Sequence, residues 1–222
     1  MGGGLVTTVA IDGPAGSGKS SVARRAAERL GFHLLDTGAA YRSLAWLVLE
    51  RGLDPSVEAD VLGVLDDFDY AVDVSGPVQR FSVGGVDVSD AIRTERISGA
   101  VSGVARVPAV REAVNVRFRA LIAEADPGIV VEGRDITTVV APDADVRILL
   151  TADEDVRIRR RIGDVGDDAG VAERLSARDR SDNQVVDFMT PAPGVTLVDS
   201  THLDFDETVQ AVVELVRTQE RP

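Results

Sequence analysis

The segment GPAGSGKS, residues 13–20, constrains the possible folds of this chain more than any other stretch. It matches the pattern G-x-x-x-x-G-K-[ST], and it lies between an apolar, β-branched run and a helical pattern that ends at Gly31. In that setting glycines let backbone N–H groups surround phosphate oxygens at the positive end of a helix. The segment, called the phosphate loop below, therefore predicts a nucleoside triphosphate site in an α/β fold. The residues predicted to bind the nucleotide are Gly13, Pro14, Ala15, Gly16, Ser17, Gly18, Lys19, Ser20 and Ser21.

Lys19 is the only lysine in a chain whose lysines and arginines together number 24. A compact ammonium on a flexible stem reaches the β- and γ-phosphates inside a tight loop, whereas a planar guanidinium is too bulky there. The hydroxyl of Ser20 is suited to bind Mg²⁺. We therefore predict that Lys19 is catalytic and that Ser20 is a metal ligand. A chance glycine-rich turn is the alternative, but it does not account for the flanking strand and helix.

The chain is strongly acidic, with a net charge of −13 at pH 7, and this charge repels nucleic acids and anionic membrane surfaces. It contains no cysteine, which excludes disulfides and thiolate metal sites and fits a reducing compartment. No apolar run approaches the roughly 20 residues that a membrane span needs. We expect a cytoplasmic monomer with small-molecule partners and neither nucleic-acid nor membrane partners.

Strand and helix patterns alternate along the chain, which is typical of a parallel sheet covered by helices on both faces. Residues 66–90 depart from this rhythm, because they alternate polar and apolar residues between SGP and GG turns and so predict short antiparallel strands. We predict a three-layer α/β/α fold with a five-stranded parallel core sheet and an inserted lobe. The predicted boundaries are 1–36 and 106–222 for the core, 37–105 for the inserted lobe, and about 160–172 for a short lid within the core.

Two polar clusters follow predicted core strands, at the sheet edge where α/β proteins bind ligands. LLDTGAAYR places Thr37, Tyr41 and Arg42 at a strand-to-helix junction. The alternative there is that Tyr41 is a core residue and Arg42 is solvated. EGRD, residues 132–135, puts charges in a buried loop, where they need a ligand or a partner. An ion pair between Arg134 and Asp135 is the alternative at that cluster.

Arginines also recur beside the predicted lid. Arg157 and Arg161 lie four residues apart, as do Arg178 and Asp182, so the members of each pair share one helix face. In an acidic chain such arginines could neutralise neighbouring carboxylates. They could also stabilise phosphoryl transfer, which needs positive charge and little covalent chemistry. The residues taken one by one leave the phosphoryl acceptor open.

Taken together, the motifs resemble those of bacterial cytidylate kinases, the (d)CMP kinase branch of the nucleoside monophosphate (NMP) kinases. The segments that carry the resemblance, in family order over nearly the whole chain, are IDGPAGSGKSSVARRAAERLG, LLDTGAAYR, GVDVSDAIRTERISGAVSGVARVPAVRE, IVVEGRDITTVVAPDADVRILLTA and ARDRSD. The resemblance implies a P-loop NMP-kinase fold in which the inserted lobe binds the acceptor. It also implies transfer of the γ-phosphoryl group of ATP, with Mg²⁺, to CMP or dCMP in pyrimidine nucleotide metabolism.

The resemblance further implies two sets of site residues. The catalytic set supplies charge around the transferred group and consists of Lys19, Arg134, Arg157 and Arg161. The CMP-binding set consists of Thr37, Tyr41, Arg42, Ser102, Arg111, Arg134, Asp135, Arg178 and Asp182. Within it, Ser102, Arg111 and Asp135 would read the cytosine edge. Arg93 would brace the acceptor lobe.

This chain departs from the family pattern at two places. Residues 183–185 are Asn-Gln-Val, where the family commonly has a segment such as Ser-Thr-Arg, so Val185 replaces an arginine that contacts the acceptor phosphate. Thr137 stands where the family often has glycine. These departures bear on the acceptor contacts and leave the predicted fold unchanged.

Rival functions are also testable against the residues. A kinase of another small acceptor, such as a nucleoside or a shikimate-like metabolite, is the second enzymatic interpretation. A GTP-binding switch reads guanine with Asn-Lys-x-Asp or Thr-Lys-x-Asp, and this chain has no second lysine to build either motif. A DNA-bound regulator does not fit the acidic composition.

Overall fold

The computed structural model describes residues 7–74, 79–165, 170–183 and 189–219. Within these ranges the elements are, in chain order, β1 (Thr7–Asp12), α1 (Lys19–Leu30), β2 (His33–Asp36), α2 (Thr37–Glu50), α3 (Glu58–Leu62), β3 (Tyr70–Asp73), β4 (Arg80–Val83), β5 (Val86–Asp87), α4 (Glu95–Ala105), α5 (Pro108–Ala123), β6 (Gly128–Gly133), β7 (Val146–Thr151), α6 (Glu154–Val165), α7 (Val171–Asn183), β8 (Thr196–Asp199) and α8 (Phe205–Gln219). A 3-10 turn spans Ala91–Arg93, and a π-helical turn spans Ile136–Val140.

The chain forms two compact units. The first contains the chain up to Leu35 and from Ala125 onward, and the second is Asp36–Glu124. The sequence predicted an inserted lobe that ends at residue 105, with the following helix in the core. In the structure that helix, α5, belongs to the second unit, because it packs against α4 and its Phe118 ring meets the Tyr41 ring of α2 edge-on at 6.4 Å.

A sheet lies at the centre of the first unit, and within the described residues it has five strands in the order β2–β6–β1–β7–β8. The pairs β1–β6, β1–β7 and β7–β8 are parallel. β1 is the middle strand, so its Val9, Ala10 and Ile11 side chains are fully buried, as a strand covered on both faces requires. Asp12, its last residue, is paired with Gly133 at the end of β6 and with Leu149 of β7. The phosphate loop therefore begins at the carboxyl edge of the sheet.

Helices α1 and α8 pack against each other and share an aliphatic core with the sheet. α1 contributes small side chains such as Ala23 and Ala26, and α8 contributes valines such as Val209 and Val213. Because alanines allow the helix backbone to approach closely, mainly valines and isoleucines fill this core, and Phe32 packs against it while only partly buried. α1 is followed by Gly31, the glycine stop that the sequence predicted, and its φ of 70° makes it a left-handed helix cap.

The second unit contains the antiparallel strands predicted within residues 66–90. In the described residues β3, β4 and β5 form a three-stranded sheet in that order, with Tyr70 opposite Val83. The Tyr70 ring stacks on Phe68 at 5.6 Å and on Phe81 at 6.5 Å. These rings form the core of the small sheet, whereas the first unit relies on aliphatic residues.

The parallel sheet with its helices and the separate antiparallel sheet confirm the predicted fold class. The predicted lid, about residues 160–172, overlaps the end of α6 and the start of α7, and residues 166–169 of it fall outside the described residues. None of the helices in the described part of the chain has both the length and the apolar character to cross a membrane.

Candidate active site

The phosphate loop connects β1 to α1 through glycines that have no room for a side chain. A Cβ at Gly13 would lie 2.1 Å from the Leu150 carbonyl oxygen, and one at Gly16 would lie 2.6 Å from the Arg157 carbonyl oxygen. Gly16 and Gly18 also have φ angles of 73° and 83°, in the left-handed region that favours glycine. The loop conformation is therefore held by close packing against β7 and α6.

The first turn of α1 carries the predicted cation and metal ligand. The Lys19 ammonium donates to the Pro14 carbonyl at 3.4 Å, so the side chain folds back over the loop. The Ser20 hydroxyl donates to the Glu132 carboxylate at 2.8 Å. Glu132 is a buried residue of β6, next to Ile11 of β1 in the sheet register. A hydroxyl and a carboxylate in contact suit Mg²⁺, which prefers oxygen ligands and retains several waters.

Arginine and aspartate side chains hold the backbone of the phosphate loop. Arg157 donates to the Ala15 carbonyl at 2.9 Å and lies 2.5 Å from one carboxylate oxygen of Asp179. The other oxygen of Asp179 accepts the Ala15 N–H at 2.9 Å and lies 3.6 Å from the Arg134 guanidinium. Arg134 also donates to the Gly13 carbonyl. Because these groups are largely shielded from water, their attraction is weakly screened.

Arg160 supports the same loop from another direction. It donates to the Ser17 carbonyl at 3.3 Å and the Ser200 hydroxyl at 2.9 Å, and to the Ser200 and Leu203 carbonyls at 2.8 and 3.3 Å. Burial lowers the pKa of Arg160 from its ordinary value, although the group stays charged at any physiological pH. Arg161, by contrast, is exposed on α6, and its predicted catalytic role stays a prediction.

The turn that follows β6 carries the predicted residues Arg134 and Asp135. Asp135 is buried, and it directly precedes the π-helical turn. The buried Asp12 carboxylate accepts the N–H groups of Ile136 and Thr137, each at 2.8 Å, and the Thr137 hydroxyl at 2.6 Å. Burial raises the pKa of Asp12 above its ordinary value, although these hydrogen bonds oppose the shift. Arg134 and Asp135 therefore project from a backbone that is tied to the start of the phosphate loop.

The second unit carries three predicted acceptor residues at the start of α2. The Asp36 carboxylate caps this helix, because it accepts the Ala39 N–H at 3.1 Å and the Arg42 guanidinium at 2.6 Å. Arg42 is thus paired rather than solvated, and Thr37 is buried in the first turn. Tyr41 is only 8% exposed, so it is a core residue as well as a candidate ligand.

Asp36 is itself held by the small sheet of the same unit. The side-chain oxygen of Gln79, which directly precedes β4, accepts the Asp36 N–H at 3.1 Å. Burial, together with the negative charge of Asp36, raises the pKa of the Tyr70 phenol far above its ordinary value. Tyr70 is therefore neutral at any physiological pH. The Arg42–Asp36 pair therefore lies close to a neutral phenol.

The remaining predicted residues are spread over four segments. Ser102 on α4 and Arg111 on α5 are half-buried, and Arg93 is exposed in the 3-10 turn. Arg178 and Asp182 lie on α7, one helical turn apart as predicted, but their side chains lie outside the described residues. Val185 also lies outside the described residues.

Within the first unit, the structure brings Arg134 and Arg157 to the phosphate loop. The sequence analysis assigned no role to three carboxylates that organise this site, Asp12, Glu132 and Asp179. It also assigned none to the Arg160 guanidinium. Glu132 and Asp179 lie inside charged motifs that had been singled out, so a signal was present for both. Arg160 lies among the arginines beside the predicted lid, but nothing distinguished it from them, because its partners are three carbonyl groups and the Ser200 hydroxyl.

Comparison with known sequences gives a consistent result. Residues 9–218 match the family model described as cytidylate kinase. The chain is 46% identical over 212 residues to a cytidylate kinase of Cutibacterium acnes, covering 94% of this chain and 95% of the relative. It is 40% identical over 219 residues to one of Pseudomonas aeruginosa, covering 95% of each chain. It is 41% identical over 216 residues to one of Geobacillus kaustophilus, covering 94% of this chain and 96% of the relative.

Solved structures show the same architecture at low identity. The crystal structure of TT1252 from Thermus thermophilus matches with a TM-score of 0.52 and 17% identity, covering 98% of this chain and 99% of that one. A shikimate kinase from Bacteroides thetaiotaomicron matches with a TM-score of 0.50 and 13% identity, covering 96% and 99%. At such identities these matches show the fold alone.

Proposed function

Because this chain belongs to the cytidylate kinase family, we propose that it is a (d)CMP kinase, which transfers the γ-phosphoryl group of ATP to CMP or dCMP and releases ADP. The family membership confirms the resemblance drawn from the motifs. The observation that carries the proposal is the contact between Arg134 and the Gly13 carbonyl. It supports the proposal because a cation of the predicted acceptor set lies on the loop that binds donor phosphates.

Cations around the phosphate loop account for most of the proposed catalysis. The acceptor is an ionised phosphate, so no general base is needed to generate the nucleophile. An acceptor oxygen attacks the γ-phosphorus of ATP, and the bond to the β-phosphate oxygen breaks, with the negative charge spread over the transferred group. Lys19, Arg134 and Arg157 stabilise that charge because they are held in place before the reaction begins. Asp179 and the carbonyl groups of the phosphate loop fix the positions of the Arg134 and Arg157 side chains.

Ser20 and Glu132 are the residues proposed to hold Mg²⁺. Their oxygens are 2.8 Å apart at the start of α1, and among the described residues no group of three or more His, Cys, Asp or Glu side chains could hold a metal ion by itself. A site with few protein ligands fits Mg²⁺, which is usually completed by substrate phosphates and water. When bound, the ion would neutralise charge on the β- and γ-phosphates. Ser20 would then turn its hydroxyl from Glu132 toward the ion.

Acceptor recognition is assigned to the residues that the family resemblance implied. Arg42, oriented by Asp36, is proposed to grip the acceptor phosphate with a planar, fork-shaped donor set. Ser102, Arg111 and Asp135 are proposed to read the cytosine edge, where Asp135 accepts from an amino group that uracil lacks. Arg178 and Asp182 are proposed to contact the sugar. Because Val185 stands where the family commonly has an arginine, the acceptor phosphate is proposed to be bound by Arg42 and Arg134.

A panel of acceptors tests this function directly. Purified protein is mixed with ATP and Mg²⁺, and ADP release is followed with CMP, dCMP, UMP, AMP, GMP and shikimate in separate reactions. CMP and dCMP should give kcat/KM values far above those of every other acceptor. Omission of Mg²⁺ should abolish turnover. Equal turnover with AMP, or turnover with shikimate but not CMP, would refute the assignment.

The proposed oligomeric state and location rest on composition. The net charge of −13 argues for a protein that repels copies of itself and polyanions. We infer a cytoplasmic monomer. Light scattering during size-exclusion chromatography checks the first part, since a monomer has a mass of 23.5 kDa.

A further inference from the structure

The Asp12 carboxylate reaches from the end of β1 to the segment that follows β6. One oxygen accepts the Ile136 N–H at 2.8 Å, and the other accepts the Thr137 N–H at 2.8 Å and the Thr137 hydroxyl at 2.6 Å. All three residues are buried, with exposures of 3%, 0% and 4% in chain order. Water therefore competes little for these donors, and the carboxylate and the segment fix each other.

The segment that Asp12 contacts has an uncommon backbone. Ile136–Val140 is a π-helical turn, in which the N–H groups of Val139 and Val140 donate to the Asp135 carbonyl at 2.9 and 3.2 Å. The first N–H groups of any helix have no acceptor within that helix, and here these groups belong to Ile136 and Thr137. Asp12, far away in the chain, supplies their acceptor. Such turns occur mostly in isolation and often at functional sites.

Asp12 is a rigid anchor for this turn because it belongs to the central strand. It is paired with Gly133 of β6 and Leu149 of β7 in the sheet register. Arg134 and Asp135 are the residues between the sheet position Gly133 and the capped Ile136. Both ends of that short connection are thus held by β1.

We propose that Asp12 is a positioning residue, which fixes the turn so that Arg134 and Asp135 keep the orientation needed for the acceptor. The inference rests on the proposed function, since that function assigns the acceptor contacts of Arg134 and Asp135. The Thr137 hydroxyl strengthens the hold at a position where the resembling kinases often carry glycine. Selectivity for cytosine in this chain therefore depends in part on a hydroxyl that does not touch the nucleotide.

Thr137→Val is the sharpest test, because it removes the hydroxyl while retaining the shape of the side chain. Thr137→Ser retains the hydroxyl and should restore the wild-type behaviour. Thr208→Val is the matched control, since Thr208 of α8 is similarly buried and donates to the carbonyl of Asp204, which directly precedes that helix, at 2.6 Å. All the variants are compared as purified full-length chains after their folding has been checked by circular dichroism.

Amide hydrogen exchange measures how firmly Asp12 fixes the π-helical turn, and it needs no substrate. In Thr137→Val the amides of Ile136 and Thr137 should exchange about tenfold faster than in the wild type, which corresponds to the loss of one hydrogen bond. Asp12→Asn should accelerate the same amides further, because an amide offers only one acceptor oxygen. Thr208→Val should leave their exchange unchanged. Unaltered exchange in both Thr137→Val and Asp12→Asn would overturn the proposal.

Steady-state kinetics measure how the hydrogen bonds to Asp12 affect the use of the acceptor. Thr137→Val should lower kcat/KM for CMP about tenfold and reduce the ratio of kcat/KM for CMP to that for UMP, with the KM for ATP changed less than about twofold. A merely structural role would lower activity on both acceptors alike. Faster exchange with an unchanged CMP to UMP ratio would overturn the positioning role. A wild-type enzyme inactive on CMP would defeat the proposed function instead, and hydrogen exchange would then decide whether Asp12 holds the turn.

Discussion

Arg157 and Asp179 grip the same peptide of the phosphate loop, since Arg157 donates to the Ala15 carbonyl and Asp179 accepts the Ala15 N–H, each at 2.9 Å. The two side chains are 2.5 Å apart and almost completely buried. The pair connects α6 and α7, on either side of the predicted lid, to the loop that binds the nucleotide. It is therefore the contact whose removal is most informative about the donor site.

Asp179→Asn should destabilise the protein by about 3 kcal/mol, because the Arg157 guanidinium stays buried after its countercharge has gone. The same change should raise the KM for ATP, since Ala15 loses part of its support. Urea unfolding and steady-state kinetics measure the two effects. The control is Asp206→Asn, which breaks the Arg29–Asp206 pair, in which Asp206 is 75% exposed, and should cost less than about 1 kcal/mol. Equal costs for the two variants would contradict the special role of Asp179.

Lys19→Ala should lower kcat/KM by about 10³-fold or more, because it removes a preorganised charge from the transferred phosphoryl group. Lys19→Arg should fail to restore activity, since the space around the loop suits a compact ammonium. Arg24→Ala, an exposed position on the same helix, controls for general effects on α1. A full recovery with Lys19→Arg would show that charge alone matters there.

Arg42→Ala should raise the KM for CMP by about 10²-fold and leave the KM for ATP unchanged, because a paired guanidinium is lost from the proposed acceptor grip. The matched control in the same unit is Arg96→Ala, since Arg96 forms a more exposed ion pair with Glu50 at 3.7 Å. Initial-rate kinetics with each substrate varied in turn separate the two KM values. A larger effect on ATP than on CMP would reverse the assignment.

Asp12 should make stability fall as the pH rises. Its pKa in the folded protein lies above the ordinary value of 3.8, chiefly because it is buried, so its favourable contribution is complete below that value and is lost as the pH rises through the folded pKa. The unfolding free energy of the wild type relative to Asp12→Asn should therefore decrease over a range of rising pH that starts near the ordinary value of 3.8. Urea unfolding across this range measures the difference.

Asp199→Asn provides a control of opposite sign. The hydrogen bond from the Thr201 hydroxyl lowers the pKa of Asp199, so its stabilising contribution is present above the ordinary value and is lost as the pH falls. The wild type should thus lose its advantage over Asp199→Asn toward acid pH. If the stability difference from the wild type changed with pH in the same direction for both variants, the raised pKa of Asp12 would be contradicted.

Elements with strong local patterns were predictable from the sequence. β1, the phosphate loop and α1 follow one another as expected, since a β-branched run, a glycine loop and an alanine-rich helix each have a local signature. Helix α4 was not predicted, because Gly99 and Gly103 lower its helix propensity and its stability comes from packing against α2. Tertiary contacts of this kind leave no periodic trace in a short segment.

The residues of the site were easier to predict from the sequence than the contacts among them. Arg134 and Arg157 were expected near the phosphates, but their shared partner Asp179 was not, since it lies on another helix, α7, and also binds the Ala15 N–H across most of the chain. The contact between Asp12 and Thr137 spans a similar distance in sequence. Spacing rules describe neighbours on one helix or strand. They do not identify a carboxylate that binds a turn far away in the sequence.

The contacts of Arg160 have a consequence for synthesis of the protein. The phosphate loop leaves the ribosome well before Ser200 and Leu203, which also bind the Arg160 guanidinium that supports the Ser17 carbonyl. Nascent chains therefore carry the loop long before its full support exists. ATP in the cell can consequently contribute little binding energy to folding until the segment that follows β8 has also been synthesised.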